Sequence, residues 1–391
     1  MKLSIVLSTH ATSFDALVYS GDFARNARRI AELGYDGVEL AVRDPALLDA
    51  NAVACIVAEA GLEVPAIGTG QAYVEDGLSF TSPDPKVRAR AIARIQAQAD
   101  CAAHFGAQVI IGLVRGRLVE GVSREQAMEW LVAALRECAG YAAQREVWLN
   151  FEPLSRLDSN LVNTVDEALL LLEEVGAPNL GLLLDTFHMN IEEPSICASL
   201  VRAGGHITHV HVSDSNRWYP GAGHVDFAGI VATLEALNYN GYLSAEILPL
   251  PDSDTCAARA IAHMRPLLAA RESNMKQSNT VTGKRFYYEG SISEDLIVYP
   301  TDRSGVKRSG TKVPIPSQAI DFIRAEIREG GEIAMGACRD SPSPGSLGAK
   351  LLRQQRKSPQ LLSYMIPLLI EEGYCTCLKD GRRYVIRYTR P

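Results

Sequence analysis

Three carboxylates and one imidazole stand out in this chain, because each sits at the end of a short apolar run. Glu152 ends Trp148-Leu149-Asn150-Phe151-Glu152, and Asp185 ends Leu182-Leu183-Leu184-Asp185. His211 lies in His209-Val210-His211-Val212, and Glu246 in Ser244-Ala245-Glu246-Ile247. The intervals between them are 33, 26 and 35 residues, each about the length of one strand–helix unit. Brought together, such groups repel one another and take up protons unless a cation holds them. Hard oxygen donors with one nitrogen suit Mn²⁺, Mg²⁺ or Co²⁺ better than structural zinc, which favours thiolates and tetrahedral closure. Taken singly, a carboxylate at a strand end is often only the N-cap of the next helix. A single His in an apolar strand is more often a satisfied core residue than a ligand. Four in register on consecutive units is a much rarer arrangement, and it reads as a metal centre. His209, on the same strand face as His211, is left as a core histidine.

The elements that must position these groups repeat through the first two-thirds of the chain. Apolar β-rich runs occur at Leu3–Leu7, Gly37–Val42, Val64–Gly68, Gln108–Leu113, Val147–Phe151, Leu180–Leu184, His206–Val212 and Tyr242–Ile247. Between them, Phe23–Leu33, Pro85–Phe105, Arg124–Gln144, Val165–Val175 and Ala257–Ala270 place apolar residues at three- and four-residue steps, the helical period. Glycines follow helix ends at Gly34 and Gly176. Eight such units in about 270 residues predict a closed (β/α)8 TIM barrel, whose functional groups gather at the C-terminal strand ends. An open doubly wound sheet would carry a glycine-rich phosphate loop after its first strand, and Ser8-Thr9-His10-Ala11-Thr12 is not one.

Composition divides the chain near Met275. Of 391 residues, 1–275 hold 20 Lys+Arg against 34 Asp+Glu, whereas 276–391 hold 19 against 12. All eight histidines fall in the acidic part, which is where metal chemistry is expected. The eight cysteines are scattered without a CxxC pair, and Cys375/Cys377 lack the further ligands a zinc site needs. They read as small buried hydrophobes of a reducing compartment. The N-terminal apolar run is too short for a signal peptide and no stretch approaches a membrane span, so a cytoplasmic location without membrane partners is expected.

The organisation expected is a barrel over 1–270, a linker over 271–280 read from the polar stretch Ala269–Asn279, and a basic unit over 281–391. In that unit Phe286–Pro300 and Lys307–Pro314 read as extended. Pro316–Arg328, Gly345–Gln355 and Ser358–Glu372 read as helices, and Tyr374–Leu378 and Arg382–Tyr388 flank the hairpin turn Asp380-Gly381. Helices followed by a terminal hairpin suggest a winged-helix-like α+β domain. Its candidate recognition segment Ser358–Glu372 holds no Lys or Arg and contains Pro367, which makes it a poor reader of the major groove. A protein partner is therefore favoured over nucleic acid.

The segments NFEPLSR (150–156), LLDTFHMNIEEP (183–194), HVHVSDSNRWYPGAGHVDF (209–227) and AEILPLP (245–251) resemble the sugar phosphate isomerase/epimerase family, and within it the ketose 3-epimerases. AIGTGQAYVEDGLSFTSPDP (66–85) and VIIGLVRGR (109–117) resemble the 5-keto-L-gluconate epimerases in particular. The resemblance spans essentially residues 1–270. It implies Mn²⁺ held by Glu152, Asp185, His211 and Glu246, substrate oxygens held by His188 and Arg217, and a homo-oligomer. Two departures bear on substrate preference: Ser155 stands where many relatives have Asn, and Asp158 where they have Glu.

These assignments fit the chemistry of a proton beside a carbonyl, too weak an acid for an unaided carboxylate. A divalent cation on the neighbouring oxygens stabilises the enediolate left by deprotonation. Glu152 and Glu246, on opposite faces, would remove one proton and return another, inverting the carbon. Arg115 and Arg117, after the fourth strand, are candidates to clamp the carboxylate of a keto-sugar acid. The alternatives are an aldose–ketose isomerase of the hydroxypyruvate isomerase type, a non-catalytic sugar sensor, and an abasic-site endonuclease. The last needs three zinc ions, and histidines near the mouth are few beyond His10, His188, His211 and His224.

Overall fold

Eight parallel strands close on themselves in the computed structural model, which describes residues 1–10, 16–274, 276–302, 312–338, 341–381 and 383–389, side chains of 270–274 apart. The strands are β1 (Lys2–Ser8), β2 (Gly37–Ala41), β3 (Ala66–Gly68), β4 (Gln108–Ile111), β5 (Leu149–Phe151), β6 (Leu180–Asp185), β7 (Ile207–His211) and β8 (Tyr242–Ala245). They neighbour one another in chain order, and β1 closes the ring by pairing Leu3 with Leu243 of β8 and Ser4 with Gly37 of β2. The chain therefore forms the TIM barrel that the strand–helix rhythm predicts.

Helices α1 (Phe23–Glu32), α2 (Ala50–Glu59), α3 (Gly70–Val74), α4 (Pro85–Phe105), α5 (Arg124–Ala143), α6 (Val165–Val175), α7 (Thr186–Glu192), α8 (Ile196–Ala203), α9 (Phe227–Ala236) and α10 (Ser253–Asn274) follow the strands. Their starts are written locally. Asp22, Asp49, Asp84, Ser123 and Asp226 each accept a backbone N–H at a helix N-terminus, and Thr164 with Glu167 forms a reciprocal capping box. Gly176 ends α6 at φ 67°, in the left-handed region that an L side chain enters at a cost.

Strand alternation sorts the side chains into two environments. One parity, including Leu3, Ile5, Leu7, Val38, Leu40, Leu149, Phe151, Leu182, Leu184, Val210 and Leu243, joins helix residues such as Ile30, Ile95 and Leu131 in one apolar core. The other parity points into the barrel. There Ala66, Ile110 and Leu183 form a small separate cluster. Around it lie buried polar side chains from nearly every strand: Ser4, Glu39, Asn150, Asp185, His209, His211 and Ser244. Continuing that parity one step past β5 and β8 reaches Glu152 and Glu246. The site is therefore a product of the period-2 rule rather than of loop placement.

The chain splits into two compact units, Met1–Leu268 and Ala269–Pro391. The segment read as a linker is regular. α10 runs to Asn274, and β9 (Lys276–Asn279) starts the second unit's sheet. Three of the four β9 residues are exposed. The second unit holds an antiparallel sheet of β9, β10 (Arg285–Gly290), β11 (Leu296–Pro300) and β12 (Val313–Ile315), followed by α11 (Ser317–Gly330) and β13 (Glu332–Ala334). Then come α12 (Leu347–Gln355), α13 (Leu362–Glu371) and the hairpin β14 (Cys375–Asp380) and β15 (Arg383–Tyr388), with β15 between β13 and β14. Most of Lys307–Pro314, expected to be extended, lies outside the described residues; Val313 and Pro314 are in β12. No helix is long and apolar enough to cross a membrane among the described residues.

Candidate metal centre

Glu152, Asp185, His211 and Glu246 converge at the C-terminal mouth of the barrel, each offering a ligand atom within 4.8 Å of the others. His211 Nδ1 lies 3.3 Å from Glu246 Oε2, 3.7 Å from Glu152 Oε1 and 3.9 Å from Asp185 Oδ2. Local structure decides which atoms face the centre. Asp185 is the N-cap of α7: its Oδ1 accepts from Phe187 N at 2.8 Å and from Ser213 Oγ at 3.2 Å, which leaves Oδ2 to face the centre and Arg217. The helix cap and the candidate ligand are thus the same side chain. Gly112 makes room for Glu152, since a Cβ there would stand 2.7 Å from Glu152 Oε2.

Glu152 Oε1 and His211 Nδ1 are buried without any hydrogen-bond partner. Leaving a carboxylate oxygen and an imidazole nitrogen unsatisfied in the interior costs about 1–3 kcal/mol each. A divalent cation between them removes that cost, so the donor set fits a hard metal ion. The electrostatics agree. Burial, and after it the charge of Glu246, raises the Glu152 carboxyl well above its ordinary range. Burial alone would raise Asp185 too, but Arg217 and then His188 outweigh it and hold the carboxyl low. Burial opposes the His211 imidazolium, yet Glu39 and Glu246 prevail and raise its pKa well above the usual value. The chain without a cation thus retains positive charge on its own side chains.

Arg217 supplies most of that charge, donating to Asp185 Oδ2 at 2.5 Å and to Glu246 Oε2. Its backbone sits at φ 63°, a conformation costing an L residue roughly 1–2 kcal/mol. The loop that holds it there is organised by Asp214, whose carboxylate accepts from the backbone N–H groups of Ser215 (2.8 Å), Gly221 (2.8 Å) and Val225 (3.1 Å). His188, in the first turn of α7, is buried, with Nε2 3.9 Å from both Glu152 Oε1 and Asp185 Oδ2. Burial pushes its pKa down to about 4, so at neutral pH it is an uncharged donor. Its Nδ1 lies 3.7 Å from Asp158 Oδ2, beyond a direct hydrogen bond. Asp158 instead accepts from Ser155 Oγ at 3.4 Å.

Glu152, Asp158, His188, His211, Arg217 and Glu246 border a cleft of about 370 Å³, whose other walls include Val74, Leu113, Leu154, Phe187 and Leu248. Arg115 does not line it. The turn after β4 folds its side chain behind Phe151, on the outer wall of the barrel. There it is fully buried, with its guanidinium 5.0 Å from the Phe151 ring and Nη1 donating to Val162 O at 2.8 Å. It pins the loop that carries Asp158, and the carboxylate clamp expected of it is not formed. Arg117 is exposed and absent from the walls. His224 is also exposed, its Nδ1 bonded to Ser215 Oγ at 2.9 Å, and His10 is outside the donor set.

Two residues of the site escape sequence reasoning. Glu39 of β2 lies 1% exposed in the barrel interior and lines the cleft. Its Oε2 is 2.9 Å from His209 Nε2 and 3.0 Å from His211 Nε2. The available signal was one acid in the otherwise apolar run Gly37-Val38-Glu39-Leu40-Ala41, and a second His at i−2 of a ligand.

Comparison with known proteins places this geometry in context. Residues 27–267 match the model of a family described as xylose isomerase-like TIM barrel. An L-ribulose 3-epimerase from Methylomonas sp. (strain DH-1) is 34% identical over 274 residues, 66% of this chain and 93% of that protein. One from Mesorhizobium japonicum is 32% identical over 282 residues, 71% of this chain and 93% of the relative. Among solved structures, the D-allulose 3-epimerase from Methylomonas sp. in complex with D-allulose superposes with a TM-score of 0.57 at 29% identity. The match covers 68% of this chain and 99% of that one.

Proposed function

We propose, starting from the fact that this chain belongs to the xylose isomerase-like TIM barrel family, that it is a Mn²⁺-dependent ketose epimerase inverting the carbon beside the carbonyl. The observation that carries this reading is the convergence of Glu152, Asp185, His211 and Glu246 around two unpartnered buried donor atoms. Named epimerases among its relatives place it in the isomerase class of enzymes. A divalent cation on the four donors, with Mg²⁺ and Co²⁺ as alternatives, supplies the positive charge that stabilises an enediolate. The chain's own residues do the rest. Glu152 and Glu246 project from strands three apart around an eight-strand barrel, so they flank the substrate carbon from two sides. One carboxylate accepts the proton and the other carboxyl returns one to the opposite face. His188, uncharged, donates to a substrate oxygen, and the Arg217 guanidinium offsets developing negative charge. Asp158, on the loop pinned by Arg115, borders the cleft beside His188 as a candidate substrate contact.

The cleft favours a neutral ketose over a keto-sugar acid such as 5-keto-L-gluconate. Among the described residues no Lys or Arg other than Arg217 lines it, and Arg217 is engaged by two carboxylates. Residues 11–15, outside the described residues, contain no Lys or Arg in their sequence. The test is incubation in D₂O with D-fructose, D-tagatose, L-ribulose and 5-keto-gluconate, with and without Mn²⁺, followed by NMR. Metal-dependent deuterium uptake beside the carbonyl with appearance of the epimer is expected for the ketoses. An aldose product would instead identify proton transfer between adjacent carbons, and exchange without added metal in a chelated sample would sink the reading.

A further inference from the structure

We propose that Glu39 is the positioning residue that turns the Nδ1 of His211 toward the cation, with His209 bracing the same carboxylate from the side. The inference rests on the metal reading above and deepens it. β2 and β7 are not neighbours in the barrel, so Glu39 reaches across the lumen to bond both rings. His209 and His211, two apart on one strand, present both imidazoles to a single oxygen, Glu39 Oε2, at 2.9 and 3.0 Å. All three side chains are at most 2% exposed. The rings stand edge to face, centroids 5.4 Å apart and planes at 80°, so His209 walls off the space into which the His211 ring would rotate.

Hydrogen-bond logic then fixes the tautomer. An ionised carboxylate only accepts, so the nitrogen facing Glu39 carries a proton on both rings. Neutral His211 is then Nε2–H, and its lone pair is on Nδ1, the buried unpartnered atom that faces Glu152, Asp185 and Glu246. Rotating the ring by half a turn would bring Cε1 to Glu39 and Cδ2 to the centre, leaving no ligand there. Both ring nitrogens approach the same Glu39 oxygen within 3.0 Å, an arrangement that two N–H donors and one acceptor oxygen satisfy. A carboxylate behind a metal-bound histidine also makes the imidazole a better donor, and removing one weakens metal binding typically 10–100-fold.

The experiment uses the full chain. Long-range ¹H–¹⁵N correlation spectra of the Mg²⁺-loaded protein, which is diamagnetic, report which His211 nitrogen carries the proton, and calorimetry with Mn²⁺ gives affinity and stoichiometry for wild type, Glu39→Gln and His209→Asn. Expected are Nε2–H in wild type, one ion per chain, an affinity about 10–100-fold weaker in Glu39→Gln, and a smaller loss in His209→Asn. Thermal melting separates a local effect from unfolding, and the wild-type tautomer decides even if a variant does not fold. A proton on Nδ1, unchanged affinity in folded Glu39→Gln, or a second ion held by Glu39, His209 and His211 would each overturn the proposal alone. Failure of wild type to bind Mn²⁺, Co²⁺ or Mg²⁺ would overturn the metal reading and this inference with it.

Discussion

Replacing Gly112 by alanine probes the placement of Glu152 without touching any donor atom. The new Cβ would stand 2.7 Å from Glu152 Oε2, whereas a carbon–oxygen contact settles at about 3.3–3.6 Å. The carboxylate must therefore retreat by roughly 0.6–0.9 Å, and Glu152, 5% exposed in a packed wall, has little room for it. Gly112 also sits at φ −94°, ψ −110°, outside the regions comfortable for an L residue. A catalytic group displaced by about 1 Å loses on the order of 100-fold in rate. A fall in kcat/KM of about 10–100-fold follows, equivalent to roughly 1.4–2.8 kcal/mol of transition-state stabilisation. The assay is epimerisation of the best ketose, with the melting temperature measured alongside. Gly140→Ala is the control: its Cβ meets nothing within 4 Å inside α5, so it should stabilise by about 0.5–1 kcal/mol and leave the rate unchanged. A Gly112→Ala enzyme with wild-type kcat/KM would refute the claim that Glu152 acts from this position.

Three further outcomes are expected. Mn²⁺ at about 100 times its Kd should stabilise the barrel by about 2.7 kcal/mol, raising its melting temperature by roughly 5–10 °C, and chelation should reverse this together with activity. No shift with any of the three cations would contradict the donor-set argument. In the cation-free chain, His188 has a folded pKa of about 4 against about 6.5 unfolded. The stability this contributes is complete above about pH 6.5 and is lost as pH falls toward 4, by up to about 3 kcal/mol. Chemical denaturation of His188→Gln should give a flatter pH dependence over that interval, and an unchanged slope would count against the buried neutral imidazole. Finally, Arg115→Met trades a buried guanidinium with two unpartnered nitrogens for an apolar side chain. Stability should change by no more than about 1 kcal/mol, and the ratio of rates on sugar acids and neutral ketoses should stay constant; selective loss of the acids would restore the clamp.

The four candidate ligands were legible because each closes an apolar strand, and strand period and barrel geometry carry such residues to one mouth. The same period, followed one step back, contains Glu39 and His209, which were not legible as part of the site. Glu39 precedes the end of its strand by two residues, and its partners lie across the lumen on a strand separated from it by 170 residues. No local pattern reports a contact of that range. Arg115 shows the opposite failure. Its place on the catalytic rim is visible in the sequence, but the turn at Leu113–Arg115 sends the side chain behind Phe151 instead of into the cleft. A rim position fixes where a residue starts, while the backbone turn fixes where its charge ends.

The second unit tests how far helix order alone can be carried. Ser358–Glu372 reads as a poor recognition helix because it lacks basic residues, and in the structure most of its apolar side chains are turned inward. α13 buries Leu362, Met365, Ile366, Pro367, Leu368 and Leu369. Tyr364 meets Phe286 of β10 at 5.2 Å, and Glu371 accepts from Ser278 of β9, so the unit's own four-stranded sheet covers a face of α13. Entry into a major groove needs an exposed helix face with donors and acceptors on it. Exposing this one would uncover several large apolar side chains, at about 1.5–3 kcal/mol for each of the leucines, isoleucine and methionine. The basic residues are also partly committed: Arg324 pairs with Glu372, Lys350 with Glu326 and Arg387 with Glu332. Sequence composition reports the net positive charge of this unit and its absence from Ser358–Glu372; the sheet in front of α13 adds that a face of the helix is covered.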